Sequence, residues 1–294
     1  MLGGVPDTLF AATPTRLNTW VGCPRRYRFN YLDHRPKAAP WAHNSVGTAA
    51  HNALRDWWSE PVERRTSDVA VELVTKNWLP LGFRDREQSQ LWQNRTADSV
   101  AAYVAGLDPM AEPVGIERTV AATTSRLALS GRIDRVDQRG SEDGGEELVV
   151  VDYKTGRRPS TEQEARTSLA LAVYVAGVRR TFRRRSRRVE LHHLPSGTVA
   201  AFEHTEASLA RQLARADDIG AEASAAQEQW KQHLSGLAGD ASAGVMAAVD
   251  AIDEAFPPRP SHTCAWCDFR SSCPEGQASS NELEPWAALS ERVS

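Results

Sequence analysis

The chain has 294 residues and a mass of 32.3 kDa, which suits one large domain or two small ones with a sizeable core. Hydrophobic residues make up 41% and charged residues 25%, a globular composition that excludes disordered and fibrous proteins. The formal net charge of -3 by itself argues against a nucleic-acid binder. However, this total conceals a strong local clustering of arginines, so nucleic-acid binding is not excluded. No apolar run has the length of a membrane span and no secretion signal is recognised, so the sequence predicts a soluble, cytoplasmic protein with no membrane partner.

The first third of the chain shows helical patterns. Thr13 followed by Pro14 is typical of a helix N-terminus and opens an amphipathic stretch that predicts one helix over 14–32. A proline-rich segment ends this stretch. Further helices are predicted over 46–60, 66–79 and 88–106.

The middle of the chain has the short apolar segments typical of β-strands, and the later part returns to helical patterns. An acidic, Gly-rich hairpin turn is predicted over 140–145. The predicted strands cover 114–121, 126–129, 132–138, 147–153, 189–194 and 199–202. The predicted helices cover 161–180 and, as Ala-rich segments, 206–255.

This order of elements predicts the α/β (α+β) class, with helices flanking a small mixed central sheet. We expect one domain over 1–294, made of an N-terminal helical part over 14–110, a core sheet over 111–205, and C-terminal helices with a Cys-rich tail over 206–294. The tail after Phe256 can hold little structure unless something ties it down.

The densest chemical signal lies on two neighbouring predicted strands. On the second strand, Asp152 and Lys154 are two residues apart and project to the same face, whereas Tyr153 faces away. The preceding strand can bring Asp134 beside them. Converging carboxylates repel each other, and a hard divalent cation such as Mg²⁺ or Mn²⁺ relieves the repulsion, while a lysine beside it can orient or deprotonate a water. These residues are therefore a candidate metal-dependent hydrolytic site.

A solvated hairpin is the simpler interpretation of an isolated Asp-x-Lys pattern. Two observations weaken it here. Three consecutive valines at 149–151 indicate a strand buried on both faces up to the point where the charges begin. Lys154 is also one of only four lysines in a chain that strongly prefers arginine, and lysine can lose its proton whereas arginine cannot.

These segments resemble the PD-(D/E)XK nuclease superfamily, in particular its RecB-like exonuclease branch. The resemblance rests on Gly131-x-x-Asp134-Arg135 followed by Asp152-Tyr153-Lys154-Thr155-Gly156. It implies a restriction-endonuclease-like core. It also implies that Asp134, Asp152 and the backbone carbonyl of Tyr153 ligate the metal ion, and that Lys154 serves the attacking water.

The same resemblance extends to two helices. The branch has a metal-proximal histidine in a Gly-x-x-x-His pattern, which Gly47 and His51 match, although His51 alone would more often be a surface or core residue. The branch also carries Gln-x-x-x-Tyr after the lysine strand; this chain keeps Tyr174 as a candidate catalytic residue but has Ala170 in place of the glutamine. Glu117 could add a carboxylate near the site, with a structural or solvated role as an equal alternative.

The four cysteines form a second candidate site. Cys264, Cys267 and Cys273 have a metal-type spacing, and Cys23 supplies a fourth thiolate. Four thiolates suffice for a tetrahedral Zn²⁺ or for an iron–sulfur cluster, and the spacing of the cysteines does not distinguish these two. The remaining alternative is four unrelated reduced cysteines. The arrangement resembles a subset of RecB-like nucleases, including AddB-type subunits and CRISPR-associated adaptation nucleases, which implies a structural 4Fe–4S cluster that staples the chain ends.

An arginine run follows the helix that bears Tyr174. It can grip a phosphate backbone, with Arg25, Arg26 and Arg28 as an extension, or it can be an ordinary solvated charge run. The candidate DNA-binding residues are Arg179, Arg180, Arg183, Arg184, Arg185, Arg187 and Arg188.

Together, these features predict a metal-dependent DNA exonuclease that acts on single-stranded ends in DNA repair, recombination or processing. One alternative is a catalytically silent DNA-end-binding or scaffold subunit, supported by Ala170; another is a Zn²⁺-stapled binding module. The sequence has no Gly-x4-Gly-Lys-[Ser/Thr] loop, so any unwinding would require a helicase partner.

Overall fold

The computed structural model describes residues 9–140, 144–237 and 252–289, which fall into two compact units. The sheet unit, as we call the first, comprises described residues of Ala39–Ala121, Gly131–Leu209 and Glu284–Ser294. The cysteine unit comprises those of Met1–Ala38, Ala122–Ser130 and Ala210–Leu283. The single-domain organisation expected from the sequence stays a prediction. In the described part of the chain, no helix is both long enough and apolar enough to cross a bilayer.

A small mixed sheet organises the sheet unit. Its strands are β2 (Gly115–Thr123), β3 (Leu127–Gly140), β4 (Glu146–Lys154), β5 (Ser186–His193) and β6 (Thr198–Glu203). β3 runs antiparallel to β4, β4 runs parallel to β5, β5 runs antiparallel to β6, and β2 pairs with β3. The α/β class predicted from the sequence is therefore confirmed.

Helices cover both faces of β4. Val149, Val151 and Tyr153 pack into one buried cluster with residues of α3, α4 and α5, while α7 packs against β4 and β5. Val150, which points the other way, is also fully buried, as the run of valines predicted. The helices of this unit are α3 (Ala42–Ser59), α4 (Ser67–Lys76), α5 (Arg86–Ala105), α6 (Glu162–Thr167) and α7 (Leu169–Phe182).

The cysteine unit is built mainly from helices. β1 (Phe10–Ala12) pairs in parallel with the first residues of β3, and Gly220 of α8 lies so close to this strand that an added Cβ would be 2.3 Å from Leu127 Cδ2. The side chains of Trp20 and Phe256 meet edge to face, with ring centroids 5.8 Å apart. The helices of the cysteine unit are α1 (Pro14–Gly22), α2 (Pro24–Tyr31), α8 (Glu206–Leu237) and α9 (Pro274–Ser279). The first residues of α8 belong to the sheet unit.

Three predicted element boundaries were wrong. The helix predicted over 14–32 is divided at Cys23, whose extended backbone ends α1 and whose sulfur accepts the N–H of Arg26 and so caps α2. The helix predicted over 161–180 is divided at Ser168, whose hydroxyl accepts the N–H of Leu171 and so starts a new helix. The strands predicted over 126–129 and 132–138 are one continuous strand, β3.

Parts of two predictions lie outside the described residues. Residues 141–143 of the predicted hairpin turn and residues 238–251 of the Ala-rich region are not described, whereas 252–255 is helical. The described tail consists of short elements, which are the 3-10 helices His262–Trp266 and Arg270–Ser272 followed by α9.

Candidate active site

Asp134 lies where the β3–β4 ladder ends. The antiparallel register pairs Arg135 with Val151, so the next position along places Asp134 opposite Asp152. The Asp134 carboxylate accepts the backbone N–H of Tyr153 at 2.7 Å, with the side chain only 13% exposed. This hydrogen bond satisfies a donor at the strand end and fixes the position of the carboxylate.

His51 reaches Asp134 from α3. Its Nδ1 is 3.3 Å from Asp134 Oδ1. Alanines on the buried side of α3 and the absence of a side chain at Gly47 allow a close approach, since a Cβ at Gly47 would lie 3.4 Å from Thr155 Oγ1. Burial lowers the pKa of His51, but the hydrogen bond and charge of Asp134 outweigh it and leave the pKa raised. The imidazole therefore sits in strongly negative surroundings.

Glu117 completes a compact group with these two residues. One potential ligand atom from each of His51, Glu117 and Asp134 lies within 4.8 Å of the others. Glu117 has a backbone φ of 46°, the left-handed region that costs energy for a residue with a Cβ. Burial raises the pKa of the Glu117 carboxyl, and the charge of Asp134 raises it further. A cation would relieve this repulsion.

Asp152 and Lys154 project from β4 to the same face and contact each other, as their spacing predicted. Burial raises the pKa of Asp152; the ammonium group of Lys154 opposes this rise, and the charge of Asp134 adds to it. Tyr153 is buried in the core on the opposite face, so only its main-chain groups lie on the side of the two charged residues. The structure thus pairs Asp152 with Lys154 and leaves it outside the compact group formed around Asp134.

Tyr174 of α7 is half-buried near the same carboxylates. Burial, followed by the charges of Asp152, Asp134 and Glu117, raises the pKa of Tyr174 to about 12. The phenol therefore remains protonated at neutral pH and is available as a hydrogen-bond donor. Ala170 is one helical turn before it and provides no polar group.

Much of the arginine run is engaged within the protein. Arg179 binds Glu206 through two nitrogens, each 2.8 Å from an oxygen, and Arg183 ends α7 in the left-handed conformation. Arg184, Arg187 and Arg188 pair with Glu146, Glu203 and Glu190. The DNA-binding role of the run stays a prediction, since these carboxylates offset much of its positive charge.

The cysteine unit contains the second candidate site. All four cysteines line one cavity, together with Arg25, Arg26, Arg259 and Arg270. In the part of the chain that the structure describes, no three of the sulfurs lie within 4.8 Å of one another. A tetrahedral Zn²⁺ with bonds of ~2.3 Å to sulfur would require sulfurs about 3.8 Å apart. The four sulfurs therefore do not have the arrangement of a tetrahedral Zn²⁺ site in this structure. Burial raises the pKa of Cys267 and Cys273.

Two residues of the site were not assigned from the sequence. Glu117 was named with two equal alternatives, because nothing in the strand pattern indicates its left-handed backbone. Arg132 was not singled out, yet its Nε lies 2.5 Å from Glu117 Oε2. Its position two residues before Asp134, on the same face of β3, was the available signal.

Comparison with protein families places this geometry in context. The model of the PD-(D/E)XK nuclease superfamily matches residues 11–274. No protein of curated function matched the chain. The chain is similar to the crystal structure of a protein named "Putative exonuclease" from Eubacterium rectale, with 9% identity and a TM-score of 0.47 over 97% of this chain and 91% of that chain. The family match covers most of the sequence, and the chain therefore belongs to the PD-(D/E)XK nuclease superfamily.

Proposed function

We propose that this nuclease is a deoxyribonuclease that requires Mg²⁺ or Mn²⁺ and hydrolyses phosphodiester bonds. The observation that carries the proposal is the convergence of His51, Glu117 and Asp134 into one compact group, with Lys154 contacting Asp152 on the neighbouring strand. Oxygen ligands suit these hard cations, and an imidazole is compatible with them. Burial, with the charge of Asp134 adding to it, raises the pKa of Glu117 and of Asp152, and a bound cation would stabilise both ionised carboxylates.

The residues that would hold the cation are His51, Asp134, Asp152 and the backbone carbonyl of Tyr153, with Glu117 as a further carboxylate. A bound divalent ion supplies Lewis acidity to the phosphate and lowers the pKa of a water. The protein's own contribution is orientation. Asp134 is held by the N–H of Tyr153, so its carboxylate does not need to reorganise during catalysis.

Lys154 and Tyr174 serve the reacting groups in this proposal. The side chain of Lys154 is 44% exposed beside a buried carboxylate, so it can reach a water or the phosphate oxygens while Asp152 holds its amine. Tyr174, protonated at neutral pH, donates a hydrogen bond on the same side. Both residues act on the substrate rather than on the fold.

We place the protein in the RecB-like exonuclease branch, acting on single-stranded ends in DNA repair, recombination or processing in the cytoplasm. The order of the motifs from His51 to Tyr174 supports this placement. The run from Arg179 to Arg188 would contact the DNA backbone where its side chains are not held by carboxylates. A helicase partner would supply unwinding.

We also propose a structural 4Fe–4S cluster in the cysteine cavity. The four cysteines line one cavity, and no three of their sulfurs are as close together as a tetrahedral Zn²⁺ requires. The arginines that line the cavity would offset the negative charge of thiolates and cluster. Iron and sulfide analysis of anaerobically purified protein tests this assignment: about four of each per chain is expected, whereas stoichiometric zinc contradicts it.

The catalytic proposal is tested with end-labelled single-stranded DNA, purified protein and Mg²⁺, Mn²⁺ or a chelator. We expect cleavage by the native chain that stops with the chelator and is lost in Lys154→Ala and in Asp134→Ala. Labels at the 5′ and 3′ ends, compared with a circular substrate, distinguish exonuclease from endonuclease action. Binding without cleavage under every cation favours the scaffold alternative, and Ala170→Gln is then the first variant to test for restored activity.

A further inference from the structure

Arg132 stands at the edge of the candidate metal site. It precedes Asp134 by two residues on β3, so both side chains project to the same face. Its Nε lies 2.5 Å from Glu117 Oε2, and Glu117 belongs to the compact group with His51 and Asp134. The side chain of Arg132 is nevertheless 59% exposed, whereas that of Glu117 is 16% exposed. The guanidinium is therefore anchored to the site and open to solvent.

The anchoring contact is made through Nε of Arg132, and 59% of the side chain remains exposed. Arg179 differs, because both of its terminal nitrogens bind Glu206. A guanidinium that is held through Nε and is largely exposed can present its two terminal amino groups as the planar pair of donors that suits a phosphate.

We propose that Arg132 binds a phosphate of the DNA strand next to the phosphodiester that is cleaved, and that Glu117 holds its guanidinium in place before DNA binds. This inference rests on the proposed function, because it names a substrate contact of the same site. The guanidinium can bind the phosphate while its Nε stays on Glu117, so the largely buried carboxylate keeps its partner when DNA binds. The strained backbone of Glu117 is consistent with a carboxylate placed for function rather than for folding.

The ion pair between Arg132 and Glu117 also couples DNA binding to cation binding. Glu117 offers its charge either to Arg132 or to a cation held with His51 and Asp134. Replacing Arg132 with a neutral residue removes the competing positive charge. Such a variant should bind a divalent cation more tightly and DNA more weakly, two effects of opposite sign that a merely structural residue would not produce.

The test uses Arg132→Gln and Arg132→Lys in the full chain, each in the Lys154→Ala background so that DNA binding is measured without cleavage. Arg64→Gln is the matched control, because Arg64 is 56% exposed and its Nε lies 2.9 Å from Glu60, outside the metal site. Binding of a fluorescent single-stranded oligonucleotide is followed by anisotropy across a salt series, and Mn²⁺ binding without DNA by calorimetry. Circular dichroism checks folding, and Arg132→Lys retains the charge if Arg132→Gln does not fold.

We expect Arg132→Gln to weaken DNA binding about three- to tenfold and to reduce the slope of log affinity against log salt by about 0.7, the value for one phosphate contact on a single strand. Mn²⁺ binding should tighten severalfold, Arg132→Lys should be intermediate, and Arg64→Gln should match the parent. Equal DNA affinity and salt slope in Arg132→Gln and Arg64→Gln overturn the inference.

Companion cleavage assays with Lys154 intact separate this inference from the proposed function. If the native chain cleaves DNA and Arg132→Gln does so with unchanged KM, the phosphate contact is refuted and the nuclease stands. If the native chain never cleaves but Arg132→Gln still loses DNA affinity, the hydrolytic function fails while the phosphate contact stands.

Discussion

The two candidate sites are built in different ways. The carboxylate site lies on strands whose ends are fixed by a buried core, and Asp134 is held by the N–H of Tyr153. The cysteine cavity lies between short elements: Cys23 separates α1 from α2, and the other cysteines lie in or next to short 3-10 helices before α9. The comparison indicates that a sheet fixed by a buried core positions its carboxylates by itself, whereas the short elements around the cysteines would depend on the proposed cluster for their order.

The largest expected effect is a loss of catalysis in variants of Asp134. Two different substitutions distinguish its role in cleavage from its role in folding. Asp134→Asn keeps an oxygen that can accept the N–H of Tyr153, so the fold should survive while cleavage falls on the order of a thousandfold. Asp134→Ala should lose the same activity and also about 1–3 kcal/mol of stability, because it leaves that buried donor unpaired. Cleavage rates and urea unfolding of both variants check this, and full activity in Asp134→Asn would break the assignment.

The second prediction concerns the cysteine cavity. Cys267→Ser should abolish iron binding and lower the unfolding free energy by about 2–4 kcal/mol, because the cross-link between distant parts of the chain is lost. A chelator of Mg²⁺ should change the unfolding temperature of the native chain far less. Calorimetry with parallel iron analysis measures both effects. If removal of Mg²⁺ destabilises the protein more than Cys267→Ser does, the comparison between the sites is reversed.

The residues of the carboxylate site that could be predicted from the sequence are those that follow the local alternation of a strand. Asp152, Lys154 and the opposite placement of Tyr153 were predicted, because alternation and the preceding valines are local properties of one strand. Glu117 was not assigned to the site, because nothing in the strand pattern indicates its left-handed backbone. Local patterns predict which face a side chain occupies, but not a departure from regular strand backbone.

Two further features were not predicted from the sequence: the ion pairs of the arginine run and the break in the first predicted helix. The run suggested a free basic surface, but its carboxylate partners come from segments as distant as Glu146 and Glu206. The break at Cys23 was not predicted, because the amphipathic pattern continues through Pro24. In the structure, Pro24 is the first residue of a new helix. The ion pairs depend on residues that meet only after folding, whereas the break at Cys23 is a local feature that the apolar pattern does not reveal.

A third prediction addresses packing in the cysteine unit. Gly220→Ala should destabilise the protein by about 1–3 kcal/mol, because the new methyl group would overlap Leu127. Gly22→Ala is the matched control, since its added Cβ would have no neighbour within 4 Å. Urea unfolding of both variants measures the difference, and equal stability would contradict the close packing of α8 on this strand.

The smallest expected effect is the acid sensitivity of the sheet unit. Burial raises the pKa of Glu190, but hydrogen bonds and charges from His192, Arg188 and Arg139 outweigh it and hold the pKa well below its usual range. This ionised carboxylate therefore stabilises the fold fully above its unfolded pKa, and the contribution is lost as pH falls through the folded value. Unfolding temperatures from pH 7 to pH 3 should decline less steeply in Glu190→Gln than in the native chain. An identical decline in both would mean that Glu190 is not the group responsible.

The most direct test of the central claim is single-turnover cleavage of end-labelled single-stranded DNA by the native chain and by Lys154→Ala, with DNA binding measured in the same samples. If the carboxylate site performs the hydrolysis, the native chain cuts only with Mg²⁺ or Mn²⁺, and Lys154→Ala binds DNA but does not cut it. Cleavage by Lys154→Ala at the native rate, or cleavage by the native chain in the presence of a chelator, would contradict the account.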